Sequence, residues 1–428
     1  MFVYTLGGYE EVGKNMTAIE VDGEVIIIDM GLRIDRMMIH EDTNLQELSE
    51  HELIRIGALP DDSMLAGKKI VAILLSHGHL DHIGGVEKMA HKYDCPIIGR
   101  PFTTHIVENK LRYEEMDTSR ITTVQEGRVS DFKFEFVDIT HSIPDSSLLA
   151  LHTREGTILY ANDFKLDNTP VLGKAPDYAR IKGLHPRLLI VESTRVTEHT
   201  KTPSEAMARF MLHNYFFDPN CDCNAMIATT FSSHIARLKT LVEIAEKIGR
   251  EPIMLGRSLT EYWGAARELS YVSKAVQTVR KKEAVDGVLK DVLKKKKDYF
   301  IIATGHQGES GSVLTRIADK KTPFQFEKND TVIFSAKTIP NPINVASRYA
   351  LETKLRLAGA RLILDLHVSG HASREDHRTL LRLTNPELII PSHGSFQMLA
   401  DYSTLAKEEG YEVGQDVIIT KNQQKTEI

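Results

Sequence analysis

The sequence predicts an α/β protein in which a strand-rich first part is followed by a parallel-sheet domain and a closing tail. Three observations carry this. Extended apolar runs separated by turn chemistry dominate residues 1–196. Strands and helices then alternate from 197 to about 360, which argues for a parallel sheet covered on both faces. A shorter alternation occupies residues 361–428. The 428 residues, 42% hydrophobic and 26% charged, exceed one typical domain and exclude a mainly disordered chain.

In the first part, Phe2 to Leu6 reads as a strand. Thr17–Val21, Asp22-Gly23 and Glu24–Asp29 read as a hairpin with the turn residues such loops favour. Residues 31–67 read as irregular, a cover loop or short helices. Lys69 to Ser76 is too apolar for a half-exposed strand and reads as buried on both faces. Phe132–Val137 alternates. Leu148–His152 pairs with Thr157–Tyr160 across a turn, and Leu188–Val191 is a further strand. Thr202-Pro203-Ser204-Glu205 has the pattern of a capping box with proline at the first helical position, opening a helix to about Phe217.

Strands follow at Ala225–Thr230, Pro252–Leu255, Tyr299–Ala303 and Thr331–Ser335. Helices separate them, ending near Ile248 and Tyr271 and beginning after Ser310. The tail reads as a strand Arg361–Leu366, a helix from about Arg374, a strand Glu387–Pro391 and a helix from Ser395.

Composition excludes several function classes. No run of roughly 18 apolar residues suggests a transmembrane helix, and the first residues lack the pattern of a signal peptide. Three cysteines do not make a disulfide framework and fit a reducing cytoplasm. Cys221-Asp222-Cys223 lacks the second Cys/His pair that a structural metal site requires. A formal net charge of −6 is weak evidence against nucleic-acid binding, since local patches matter more than the total. The basic run Lys294–Lys297 reads as a solvated helix end, with RNA contact as the alternative.

The strongest signal is Ser76-His77-Gly78-His79-Leu80-Asp81-His82, which sets three histidines and an aspartate within six positions after a buried strand. Imidazole and carboxylate are the ligands that zinc and neighbouring metals prefer. Residues at i and i+2 of an extended segment point the same way. A polar loop binding no metal would leave these groups without partners. His141, Asp163 and His393 each follow an apolar run and complete what a binuclear centre lacks. Asp29, after Ile26-Ile27-Ile28, is suited to orient a ligand histidine from behind.

This set resembles the metallo-β-lactamase superfamily. The resemblance implies an αββα sandwich, with His77, His79 and His141 on one zinc, Asp81, His82 and His393 on the other, and Asp163 bridging. Glu192 in Val191-Glu192-Ser193-Thr194, His367-Val368-Ser369-Gly370-His371, and His393 in Pro391-Ser392-His393-Gly394 resemble motifs A, B and C of the β-CASP nucleases. In that group an α/β domain is inserted into the lactamase fold. The implied organisation is therefore 1–196 as the first part of the lactamase domain, 197–360 as the β-CASP domain, and 361–428 as the return. Leu6-Gly7-Gly8-Tyr9-Glu10-Glu11-Val12-Gly13-Lys14-Asn15, Phe231-Ser232-Ser233-His234-Ile235-Ala236-Arg237 and Thr304-Gly305-His306-Gln307-Gly308-Glu309 are similar to signatures of the RNase J family, in its archaeal branch.

That resemblance implies a zinc-dependent ribonuclease, with manganese as a substitute metal. It would act on single-stranded RNA from a 5′-monophosphate end and release nucleoside 5′-monophosphates. Two metals would activate the attacking water and clamp the phosphate. His371 is the expected general acid, held charged by Glu192, with Asp81 counted among the catalytic residues. Ser233, His234, Arg237, His367 and Ser369 are the expected RNA-phosphate contacts, and Arg257 would add charge. Glycines before the helix after Ser310 would let backbone amides cradle an anion. Trp263 reads as core. A homodimer is left open. The alternatives are an RNA endonuclease on the same site, a small-molecule thioester or lactone hydrolase, and a non-catalytic RNA-binding scaffold.

Overall fold

The computed structural model describes residues 1–38, 48–219 and 223–428. It divides into two compact units. The first comprises residues 1–168, 173–202 and 370–428, and the second residues 169–172 and 203–369.

Among the described residues the first unit holds two large sheets and a small one, in which Tyr9–Glu10 pairs in parallel with Gly394–Ser395. One large sheet runs from the strand Gln424–Glu427 through Phe2–Gly7, Met16–Val21, Glu24–Ile28, Lys69–Leu75 and Ile97–Gly99 to Ile121–Thr123. The other runs from Leu388–Ser392 through Leu188–Glu192, Gly156–Ala161, Ser147–Thr153 and Phe132–Asp138 to Glu126–Val129. The period-2 geometry of a strand sends successive side chains to opposite faces. Leu149 and Leu151 thus join a core with Val3, Ile26 and Leu74 of the other sheet. Leu148 and Ala150 pack outward against Leu380, Leu381, Tyr402 and Leu405 of the helices Arg374–Thr384 and Phe396–Glu408. Two face-packed sheets with helices outside are the expected sandwich.

The hairpin between Met16–Val21 and Glu24–Ile28 turns on Asp22 and Gly23, both with positive φ, as the Asp-Gly dipeptide dictates. Within 31–67 the described residues include the short helices Ile34–Met38 and Glu50–Arg55 and a 3-10 turn Ser63–Leu65. The helix Pro101–Tyr113, with proline in its first turn, escaped the sequence reading.

The second unit is built on an all-parallel sheet: Gln277–Val279, Glu251–Leu255, Tyr299–Ala303, Met226–Thr229, Thr331–Phe334 and Arg361–Ile363. The strand Arg361–Ile363 pairs with Thr331–Phe334, so residues 361–369 stay with this unit instead of opening the return at 361. Continuous pairing to an inner apolar strand decides this, and the sequence alone does not show pairing. The helix cap also differs. Ser204, not Thr202, caps Glu205–Phe216, its hydroxyl accepting from the Ala206 amide at 3.0 Å. Of the helix Lys282–Lys294 the sequence shows only the basic end at Lys294, although Val285, Leu289 and Val292 mark its buried face. No helix among the described residues is long and apolar enough to cross a membrane.

Candidate metal centre and phosphate-contact residues

The candidate metal ligands of the first unit, and Glu192 beside them, sit at or just beyond the ends of strands. His77, His79, Asp81 and His82 follow Lys69–Leu75, and His141 follows Phe132–Asp138. Asp163 follows Gly156–Ala161, Glu192 ends its own strand, and His393 follows Leu388–Ser392. Asp29, Asp163 and His393 all have left-handed backbones, with φ of 60°, 52° and 47°. Such conformations are uncommon outside glycine and cluster where function requires a particular side-chain direction.

These residues converge. His77 Nε2 and His141 Nε2 each lie 3.1 Å from His79 Nδ1. Ligand atoms around a tetrahedral zinc with bonds near 2.0 Å stand about 3.3 Å apart. Asp163 divides its carboxylate. Its Oδ2 is 3.6 Å from both His77 Nε2 and His141 Nε2. Its Oδ1 is 3.4 Å from His82 Nε2 and 3.5 Å from His393 Nε2. Asp81 Oδ2 stands 3.7 Å from each of the latter two nitrogens. The seven side chains thus form two ligand groups that share Asp163.

The outer nitrogens are oriented from behind. His82 Nδ1 donates to Asp29 Oδ2 at 2.6 Å, and Asp29 also accepts from the amide and hydroxyl of Ser76. His141 Nδ1 donates to the Gly370 carbonyl at 2.7 Å. His77 Nδ1 lies 3.0 Å from Ser76 Oγ, and His79 Nε2 lies 3.3 Å from Ser142 Oγ. This arrangement leaves the inner nitrogens with lone pairs aimed at the centre.

The electrostatics fit a cation. Asp163 Oδ1 is buried and has no hydrogen-bond partner among the described residues, a costly state for a carboxylate oxygen without a positive neighbour. Burial raises the Asp163 carboxyl, but the surrounding imidazoles outweigh it and hold it well below the ordinary range. Burial together with the neighbouring histidines pushes His79 and His141 well down, which keeps them neutral as a ligand requires. The donor set of imidazole and carboxylate suits zinc or manganese.

His371 stands beside this centre. Its Nδ1 donates to Glu192 Oε2 at 2.9 Å, and its Nε2 is 4.0 Å from Asp163 Oδ2. Burial pushes this imidazole down, but Glu192 and Asp163 win and raise it to about 9. Glu192 is fully buried and fixed at both oxygens. Oε1 accepts from the Phe164 amide at 2.9 Å, and Oε2 also accepts from the Thr194 hydroxyl. Thr194 was not anticipated, although it belongs to the quoted Glu192-Ser193-Thr194 string.

In the second unit, Ser233 and Ser369 are nearly buried, His367 is half-buried, and Arg257 is exposed. His367 Nδ1 lies 3.2 Å from the Ser335 carbonyl. Trp263 is core, as expected.

The chain matches three family models: a metallo-β-lactamase superfamily domain over residues 9–187, a ribonuclease J β-CASP domain over 224–349, and a Zn-dependent metallo-hydrolase RNA specificity domain over 360–417. It is 51% identical to ribonuclease J of Pyrococcus abyssi (strain GE5 / Orsay), over 100% of this chain and 97% of that one. The chain belongs to the ribonuclease J family. The ribonuclease J of Methanocaldococcus jannaschii is 48% identical over 99% of this chain and 97% of its own. A crystal structure of a protein of unknown function from Enterococcus faecalis V583 covers 99% of both chains with a TM-score of 0.66 at 17% identity, which shows the fold alone. Membership of the ribonuclease J family supports a metal-dependent, hydrolytic ribonuclease that binds RNA.

Two of the expected phosphate contacts are buried within the second unit. Arg237 is fully buried, and its guanidinium is held within the unit. Nε and Nη2 donate to Glu205 at 2.6 and 2.9 Å, and Nη1 donates to the Ser335 carbonyl and hydroxyl at 2.9 and 2.7 Å. It is therefore a structural cation, not a phosphate ligand. His234 is likewise buried, with Nε2 3.4 Å from Glu205 Oε2. A helix-start residue looks the same in sequence whether it faces solvent or the core.

Lys296 is also buried, donating to Asp330 at 2.6 Å, so the basic run is not wholly solvated. The glycine-rich stretch offers less than expected, since the Gln307 amide already donates to the Glu309 carboxylate at 3.0 Å. Cys223 is buried, its Sγ accepting from the Thr331 hydroxyl at 3.6 Å, while Cys221 and Asp222 lie outside the described residues.

Proposed function

We propose that this chain is a 5′–3′ exoribonuclease that hydrolyses 5′-monophosphorylated single-stranded RNA and releases nucleoside 5′-monophosphates. The observation that carries the reading is the Asp163-centred cluster, with the His371–Glu192 pair beside it. His77, His79 and His141 would hold one zinc, and Asp81, His82 and His393 the other, with Asp163 serving both and manganese as a substitute. Divalent ions there would supply an activated water and neutralise charge on the phosphate.

The chain's own residues supply the remaining steps. As water attacks phosphorus, the bond to the 3′-oxygen breaks, and that oxygen takes the proton carried on His371 Nε2. Glu192 fixes the His371 tautomer through Nδ1 and favours its charged form. The buried Phe164 amide and Thr194 hydroxyl keep Glu192 in place. The Ser233 and Ser369 hydroxyls and the His367 imidazole are the donors assigned to RNA phosphate. A homodimer is compatible with this reading.

The test is metal removal and restoration. Chelation should abolish cleavage of labelled RNA, and zinc or manganese should restore it. His79→Ala should not be restored. Cleavage that persists in chelator would contradict the metal reading, and faster turnover of a model thioester than of RNA would favour the small-molecule hydrolase.

A further inference from the structure

We propose that Asn15 is a positioning residue for the Asp81–His82–His393 ligand group, and that it fixes the His393 tautomer. The proposal rests on the two-metal reading above. The motif Leu6–Asn15 has no role in that reading, yet it places Asn15 directly behind the second group.

Asn15 is 1% exposed. Its own backbone is locked, the amide donating to the Asp81 carbonyl at 2.8 Å and the carbonyl accepting from the Gly31 amide at 3.0 Å. Its side-chain Nδ2 donates to the same Asp81 carbonyl at 3.1 Å and lies 3.0 Å from His82 Nε2. That assigns the amide's orientation, because a carbonyl accepts only from the nitrogen side. Oδ1 must then face His393, whose Nδ1 stands 2.8 Å away and can only donate to it. His393 Nε2 is left with its lone pair toward Asp163 Oδ1 and Asp81 Oδ2, at 3.5 and 3.7 Å. Asn162 Nδ2 also donates to Asn15 Oδ1, at 3.3 Å.

Gly8 makes room for this. A Cβ there would stand 2.3 Å from Asn15 Oδ1, and the Gly8 φ is +88°. The Gly8 carbonyl also accepts from the His393 amide at 2.6 Å. The opening motif therefore grips both the backbone and the ring of His393. No other imidazole of the centre depends on Asn15 for its outer N–H partner.

The experiment measures metal stoichiometry and affinity by titration and elemental analysis on the full chain, with circular dichroism as the fold check. Asn15→Leu removes donor and acceptor at similar size, and Asn15→Asp keeps an acceptor for His393. In Asn15→Leu the second ion should bind about 10–100-fold more weakly while the first is retained. Asn15→Asp keeps the acceptor for His393 and loses only the donor to the Asp81 carbonyl, so it should weaken the second ion less than Asn15→Leu does. Equal affinity for both ions in Asn15→Leu, or an Asn15→Asp loss as large as that of Asn15→Leu, would overturn the proposal.

If Asn15→Leu does not fold, nitrogen NMR on the wild type decides. A His393 ring protonated at Nδ1 supports the role of Asn15, and one protonated at Nε2 overturns it. A wild type that binds no metal at all would instead defeat the two-metal reading on which the proposal rests.

Discussion

Glu192 Oε2 accepts the Nδ1 proton of His371 at 2.9 Å, from a carboxylate that is itself fully buried. A buried carboxylate in this position holds an imidazole in one tautomer and stabilises its cation. His371→Ala should lower kcat by about 10²–10⁴-fold, the range for loss of a general acid, with KM and metal content little changed. Glu192→Gln should give a smaller loss, since the amide oxygen still accepts but carries no charge. Steady-state kinetics with elemental analysis checks both.

Asp163 faces both ligand groups with separate oxygens. Asp163→Ala should lose both ions together and leave cleavage at the background of the chelated protein. Stepwise loss of one ion would show that the carboxylate serves only one group.

Asp29 gathers the Ser76 amide, the Ser76 hydroxyl and His82 Nδ1. Asparagine tolerates the left-handed backbone found there. Asp29→Asn should therefore fold while weakening metal binding by about 10–100-fold, as measured by competition with a chelating dye.

Glu205 and Arg237 form a buried pair in the second unit. Burial raises the Glu205 carboxyl, but Arg237 and His234 outweigh it and hold it well below the ordinary range. A carboxylate depressed in the folded state adds stability that is complete above its unfolded value, about 4.3. That stability is lost as pH falls below this value and through the folded one. Glu205→Ala should cost about 3–5 kcal/mol near neutral pH, because it strands a buried guanidinium. The acid limb of the unfolding profile should also flatten. Denaturant melts at several pH values check this.

The metal centre was legible because its residues follow apolar strands and stand together in motifs, and strand ends in layered sheets converge. The hairpin at Asp22-Gly23 was legible from turn chemistry alone. Arg237 and His234 were not, because burial of a helix-start cation depends on Glu205, which lies some thirty positions away in sequence. Arg361–Ile363 was misplaced because its parallel partner, Thr331–Phe334, is chosen by the sheet as a whole. The left-handed backbones of Asp29, Asp163 and His393 leave no trace in sequence, and neither does the contact between Asn15 and His393.

Attack from a monophosphorylated 5′ end is tested most directly by a time course on one RNA, labelled at the 5′-terminal nucleotide and prepared with a monophosphate, triphosphate or hydroxyl end, with zinc or manganese added. Labelled mononucleotide should appear from the first time points, fastest from the monophosphate. Internal fragments appearing first and indifferent to the 5′ group would contradict it. That result would make the chain an endonuclease, with Ser233, His367 and Ser369 as general phosphate contacts.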